Sequence, residues 1–309
     1  MSVIEYGRGP GGLRLAFRQD GASDSGGRCG FFWMGGFMSD MDGAKAETLA
    51  GLARETRRPS TRFDYSGHGS SAGEFQDGSI TAWLEQSIHM FITHTIGRRV
   101  IVGSSMGGWL AALLAKTLLR DDPRHAARIA GLVLIAPAFD MTADLMWDEM
   151  DDEARAALRD HGVWQRPSLY GNPYPVTRTL IEDGARHLLF GGKLALPFPV
   201  RIVQGSIDHD VPPAHALKVF ETVTGPDVTL TLVKGGDHRL SSPTQLEFLR
   251  EVTLALAETL PALSGSFQSS EHVPTVMLLL VFCRQRVSAA LCVHCCTRQR
   301  PVLRDDGRT

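Results

Sequence analysis

The sequence predicts an α/β protein, with a mostly parallel sheet of about eight strands, helices on both faces and a small helical lid. Three observations lead there. Short apolar, β-branched runs alternate with helix-forming segments along most of the chain. One such run, residues 98–102, ends in Gly103-Ser104-Ser105-Met106-Gly107 and passes at once into a helix-forming stretch from Trp109 to about residue 119. An acid and a histidine then follow two later strands, in the chain order Ser, Asp, His.

The elements follow in order. Residues 3–6 and 13–17 are β-type runs around a glycine-rich turn and predict an antiparallel hairpin. Residues 29–34 form a third run, closed by Gly35-Gly36, and residues 44–53 have helical composition. Residues 60–65 read as a strand entering the loop Ser66–Gly73, whose end holds a second Gly-x-Ser-x-Gly, residues 69–73. Neither a strand nor a helix abuts that copy, so it reads as loop. Residues 79–96 place Ile80, Trp83, Leu84, Ile88, Phe91 and Ile92 at helical spacing. Residues 130–137 are almost unbroken apolar, as a strand buried on both faces requires. From 138 to 196 the pattern turns to acidic helical pieces and an aromatic, proline-rich segment, which we read as a helical lid. Alternation resumes with a strand at 200–204, a helix near 213–222, a strand at 228–233 and a helix at 244–260. A single α/β domain is thus expected over 1–262, with 263–309 as a disordered tail.

Composition narrows the function. The chain has 309 residues, 43% of them hydrophobic, and a net charge of −2, which gives no electrostatic case for nucleic acid. No apolar run is long enough to span a bilayer, and the N-terminal stretch reads as neither a signal nor a transit peptide. Cys29 stands alone ahead of the tail, which favours a reducing, cytoplasmic setting. The tail carries Cys283, Cys292, His294, Cys295 and Cys296, at a spacing that matches no common zinc template.

Ser105 has the setting of a nucleophile elbow: a strained turn exposes the hydroxyl, and flanking glycines let strand and helix pass closely. The plain alternative is a helix N-cap serine. A serine hydroxyl needs a base, and that base an orienting carboxylate. His238 follows the last strand and is the candidate base; Asp208 follows the strand before it and is the candidate acid, with Asp210 its rival. Asp237 is adjacent to His238, too close in sequence to reach its Nδ1. The Met106 amide faces an oxyanion from the helix start, and a second donor belongs in the loop after the third strand. There Phe37 is the first candidate and Gly36 the second. Trp147, Trp164 and Tyr170, in the lid, are candidates to line an acyl pocket. This chemistry needs no cofactor or metal.

With these residues in view, the chain resembles the α/β-hydrolase superfamily, and within it the branch of palmitoyl-protein thioesterases and acyl-glucuronide esterases with their bacterial relatives. The resemblance rests on Gly36–Ala46, Phe63–Ser71, Gly103–Trp109, Gly162–Trp164, Gly205–Pro212 and Asp237–Arg239. It implies a serine hydrolase acting on carboxylic esters or thioesters, with Ser105, Asp208 and His238 as the triad and a small molecule or an acylated protein as substrate. The rival reading is a non-catalytic binding protein on the same fold. Peptidase and haloperoxidase chemistry also use such a triad, whereas a dehalogenase would want Asp at the elbow.

Overall fold

The structure, a computed structural model, describes residues 2–22, 27–168 and 171–259. Its strands are β1 (Glu5–Arg8), β2 (Arg14–Asp20), β3 (Gly30–Met34), β4 (Ser60–Phe63), β5 (Arg99–Ser104), β6 (Ile129–Ile135), β7 (Val163–Ser168), β8 (Gly171–Thr177), β9 (Leu194–Ala195), β10 (Val200–Gly205), β11 (Val223–Thr224) and β12 (Val228–Val233). Its helices are α1 (Ala44–Thr56), α2 (Ile80–Thr93), α3 (Met106–Asp121), α4 (Pro123–Ala126), α5 (Asp152–His161), α6 (Arg178–Gly184), α7 (Pro213–Thr222) and α8 (Pro243–Glu258). The main sheet has the order β1-β2-β4-β3-β5-β6-β10-β12, antiparallel only where β2 pairs with β1 and β4. The eight strands expected from the sequence all lie in it.

Side-chain alternation explains why the central strands read as unbroken apolar runs. Successive residues of a strand point to opposite faces, and here both faces are covered. On β3, Phe31 and Trp33 join the core beneath α1 and α8, while Phe32 and Met34 join the larger core against α2, α3 and α7. On β6, Ala130, Val133 and Ile135 face the first core; Leu132 and Leu134 face the second. Helix starts carry their own signals. The Ser79 hydroxyl accepts the Ala82 N–H at the head of α2, and Ser242 and Gln245 form a capping box on α8.

The insert after β6 departs from expectation. It does contain helical pieces, a π-helical turn at Ala143–Trp147, then α5 and α6. Its aromatic, proline-rich stretch is not helical: β7 and β8 pair as an antiparallel hairpin, with Trp164 opposite Val176 and Arg166 opposite Tyr174. In a two-stranded ribbon both strands are edges, so Pro167, Pro173 and Pro175 can occupy positions whose missing N–H breaks no ladder. The two ends of the insert are clipped together: the buried Asp140 carboxylate accepts the backbone N–H groups of Leu189 at 2.8 Å and Phe190 at 2.9 Å. Residues 260–309, including the cysteine-rich tail, lie outside the described residues.

One buried ion pair braces the segment between β3 and α1. The Arg62 guanidinium on β4 and the Asp20 carboxylate on β2 are each 1% exposed and 3.1 Å apart. Arg62 also donates to the Met41 carbonyl at 2.7 Å and to Glu47 at 2.6 Å. Replacing it leaves the buried Asp20 with Arg54, at 2.8 Å, as its other cation and leaves the Met41 carbonyl without its guanidinium donor. Arg62→Met should therefore lower the unfolding free energy by about 1.5–3 kcal/mol, read from the denaturant midpoint.

Candidate active site

Ser105 ends β5 and opens α3 with φ 56° and ψ −120°, a conformation foreign to most side-chain-bearing residues. Three backbone hydrogen bonds hold it there: its N–H reaches the Ile135 carbonyl at 2.9 Å, and its carbonyl accepts from Gly108 at 2.9 Å and Ala138 at 3.1 Å. The glycine spacing has a steric cause. A Cβ on Gly103 would stand 2.3 Å from the Gly107 carbonyl oxygen, and one on Gly107 would stand 2.1 Å from that of Met34. The Ser105 hydroxyl makes no capping bond to α3, so the N-cap alternative fails. Instead Oγ lies 3.1 Å from Nε2 of His238.

Nδ1 of His238 lies 2.9 Å from Oδ2 of Asp208. That carboxylate is 3% exposed, and every acceptor site it offers is engaged. Oδ2 also takes the Gln204 amide at 2.9 Å, while Oδ1 takes the backbone N–H groups of Asp210 and Val211 at 3.0 and 2.9 Å. Burial alone would push the Asp208 carboxyl up. The hydrogen bond and charge of His238, with the Val211 and Gln204 bonds, outweigh it and hold the group below the usual carboxylate range. An ionised carboxylate only accepts, so Nδ1 carries the imidazole proton and the Nε2 lone pair faces the Ser105 hydroxyl. Asp210, the rival acid, gives its backbone N–H to Asp208 and lines the neighbouring cavity. Asp237 spends one carboxylate oxygen on the Leu240 N–H at 3.0 Å, closing its own turn.

The loop after β3 passes over the serine. A Cβ on Gly36 would sit 3.3 Å from the Ser105 Cβ and 3.2 Å from the Ser104 carbonyl oxygen, so only glycine fits comfortably. Phe37 follows, its ring packed edge-on against Phe75, Trp83 and Tyr174. Met106 is the first residue of α3, where an N–H has no partner within the helix.

Sequence reasoning passed over His68, which supports this loop. Its imidazole is 4% exposed. Nδ1 lies 3.1 Å from the Ser66 carbonyl, and Nε2 accepts the Met38 N–H at 3.2 Å. Burial depresses its pKa, which favours the neutral ring that this pair of bonds requires. Met38 itself has φ 57°. The available signal was position, since Ser66-Gly67-His68 follows a strand end just as Ser105 does. The second Gly-x-Ser-x-Gly is a loop, as expected: the Ser71 hydroxyl donates to the Asp64 carbonyl at 2.6 Å and accepts the Ala16 N–H at 2.8 Å.

Ser105 and His238 open into a cavity of about 910 Å³. Met141, Leu145 and Met146 supply an apolar wall, and the hairpin adds Pro167, Pro173 and Tyr174. Two of the three expected lid aromatics fall elsewhere. Trp147 is 40% exposed beneath the Arg155 guanidinium, and Trp164 packs on the main core; neither lines the cavity. Tyr170 lies outside the described residues. Tyr174, on the facing strand of the same hairpin, holds the position that was expected of them.

Fold and site geometry together define a class, and comparison with known proteins agrees: the chain belongs to the alpha/beta hydrolase family, whose model matches residues 24–254. Among solved structures it is similar to a protein of Agrobacterium vitis S4 assigned as a hydrolase. The two are 38% identical with a TM-score of 0.78, over 84% of this chain and 99% of that one. It is also similar to mouse alpha/beta hydrolase domain-containing protein 10, at 25% identity and TM-score 0.73, over 84% of this chain and 100% of that one. Among curated proteins, the rat mitochondrial palmitoyl-protein thioesterase ABHD10 is 29% identical over 222 residues, 71% of this chain and 72% of that one. These relatives include members of the branch that the sequence resembles.

The elbow gives a sharp test. A methyl group at residue 107 must displace the β3 backbone or the helix start. Gly107→Ala should cost about 1–3 kcal/mol and reduce any Ser105-dependent activity far more than global stability would explain. Thermal unfolding and fluorophosphonate labelling of the same preparation measure the two effects.

Proposed function

We propose that this chain is a serine hydrolase of carboxylic esters and thioesters, with Ser105 as nucleophile, His238 as general base and Asp208 as its orienting acid. The observation that carries the reading is the unbroken relay from Oγ of Ser105 to Nε2 of His238 and from Nδ1 to Asp208, at 3.1 and 2.9 Å, beside a large, partly apolar cavity.

The steps follow from the atoms. Oγ attacks the acyl carbonyl carbon while its proton passes to Nε2 of His238. The imidazolium formed is stabilised by the ionised Asp208 beneath it. The carbonyl oxygen becomes an oxyanion, which the backbone N–H groups of Met106 and Phe37 would bind, with Gly36 giving the close approach. His238 returns its proton to the departing alcohol or thiol, leaving an acyl-serine. Water then attacks that ester, gives its proton to His238, and the free acid leaves as Oγ recovers its hydrogen.

Acylated molecules suit the site because its walls differ. Met141, Leu145, Met146 and Tyr174 can shelter an acyl chain, whereas Lys45, Arg239 and Asp210 line the polar part. The relatives named palmitoyl-protein thioesterase support a thioester among the substrates.

Hydrolysis of p-nitrophenyl esters and acyl-CoA thioesters across chain lengths, with fluorophosphonate labelling, tests this reading. Wild type should turn over and label. Ser105→Ala should lose labelling and about 10⁴-fold or more in kcat. Asp208→Asn, which offers Nδ1 an amide and favours the wrong tautomer, should lose about 10³- to 10⁴-fold while remaining folded. A folded wild type that neither labels nor turns over would leave the binding-protein reading in its place.

A further inference from the structure

Lys45 is the second residue of α1, in the Gly43-Ala44-Lys45-Ala46 segment that the mechanism does not use. We infer that Lys45 is a positioning residue: through the Arg239 carbonyl its ammonium holds the loop carrying His238 against the start of α1. The inference rests on the triad reading above and adds to it the part that keeps the base in place.

The loop after β12 needs such a support. It runs Lys234-Gly235-Gly236-Asp237-His238-Arg239, and two glycines precede the histidine, one of them at φ 71°. Before His238 the loop is tied to the β10 side and to its own strand: the Gly235 N–H reaches the Ser206 hydroxyl at 2.8 Å, the Ile207 N–H reaches the Gly236 carbonyl at 3.0 Å, and the Gly236 N–H returns to the Val233 carbonyl at 3.0 Å. Beyond His238 the direction changes. Nζ of Lys45 donates to the Arg239 carbonyl at 2.5 Å, bridging 194 positions of sequence to the β3 side of the site. The imidazole is thus held from both flanks, and its Nε2 is kept within reach of Ser105.

The electrostatics are consistent with this role. Burial pushes the Lys45 ammonium down to about 8; Asp237 and Asp208 oppose the shift and Arg239 adds to it. Asp40 and His238 share the cavity with Lys45, and Arg250 on α8 lines a small void beside it. A lysine with its proton is attracted to the acidic groups flanking His238 and donates a charge-assisted bond. Above about pH 8 the charge is lost and the tie weakens.

The test compares wild type, Ser105→Ala, Lys45→Met, Lys45→Gln and Lys45→Arg in kcat, KM, fluorophosphonate labelling rate and Tm. Lys45→Met should lower kcat and labelling together by about tenfold to a hundredfold, with KM and Tm close to wild type. Lys45→Gln, which keeps an N–H donor too short to reach Arg239, should show the same loss without adding apolar surface. Lys45→Arg should retain most activity at pH 7 and keep it above pH 8, where wild type declines, because a guanidinium stays charged. Labelling of Lys45→Met at the wild-type rate would overturn the inference. So would a raised KM with unchanged kcat, which would make Lys45 a substrate contact instead. A wild type that fails to label defeats the serine-hydrolase reading itself, and this inference falls with it.

Discussion

A side-chain-bearing residue at φ 56° and ψ −120° stores about 1–3 kcal/mol of strain and keeps it only where its surroundings leave no alternative. Ser105 is such a residue, and much of the molecule can be read as what prevents it from relaxing. Strand β5 is clamped between β3 and β6 in a sheet covered on both faces, so its end cannot shift. Helix α3 starts one residue later with its first turn pressed on the β3 backbone, which only glycine at 107 permits. The gain from the strain is exposure. A serine in ordinary helical geometry would spend its hydroxyl on capping, whereas here the hydroxyl is left to meet an imidazole.

The relay behind the serine follows the same economy of position. Asp208 is buried, yet it remains ionised because four donors converge on its two oxygens. Gln204, itself fully buried on β10, contributes one of these while also donating to the Val211 carbonyl at 2.9 Å. The acid is therefore fixed by the strand and turn that carry it, before His238 is considered. The histidine has no comparable rigidity of its own, since its loop contains two glycines. Its direction has to come from contacts on either side.

Much of this could be read from the residues, and the rest could not for identifiable reasons. Strand ends were legible because a doubly covered sheet needs unbroken apolar runs, and Gly35-Gly36, Gly103 and Gly205 punctuate them. Chain order then singled out Ser105, Asp208 and His238, and the structure brings these three into contact. The β7–β8 hairpin was hidden by its prolines, which argue against strand unless both strands are edges. Trp147 and Trp164 drew attention by size, but a large aromatic is as useful for packing as for lining a pocket, and composition does not distinguish the two. His68 and Lys45 act through backbone groups far away in sequence, at 30 and 194 residues' separation. No local pattern encodes such a partner.

Their placement nonetheless obeys one rule. In a sheet buried on both faces, a polar side chain within a strand must find hydrogen-bond partners, as those of Arg62 and Gln204 do, so groups that must meet a substrate collect in the loops at the carboxyl ends of the strands. The loop after β3 gives Gly36 and Phe37 and leads to Lys45; that after β4 gives His68; that after β5 gives Ser105. The loop after β10 gives Asp208 and that after β12 gives His238. Beyond β6, next to the elbow strand, the chain instead makes its longest excursion, the insert that supplies Met141, Leu145, Met146 and Tyr174 to the cavity. Reactive groups and cavity wall are thereby carried by different connections of one rigid sheet. Asp140 closes the two ends of the insert before the chain re-enters the sheet at β10. The cavity wall and the Ser105–His238–Asp208 relay are set apart by the topology itself.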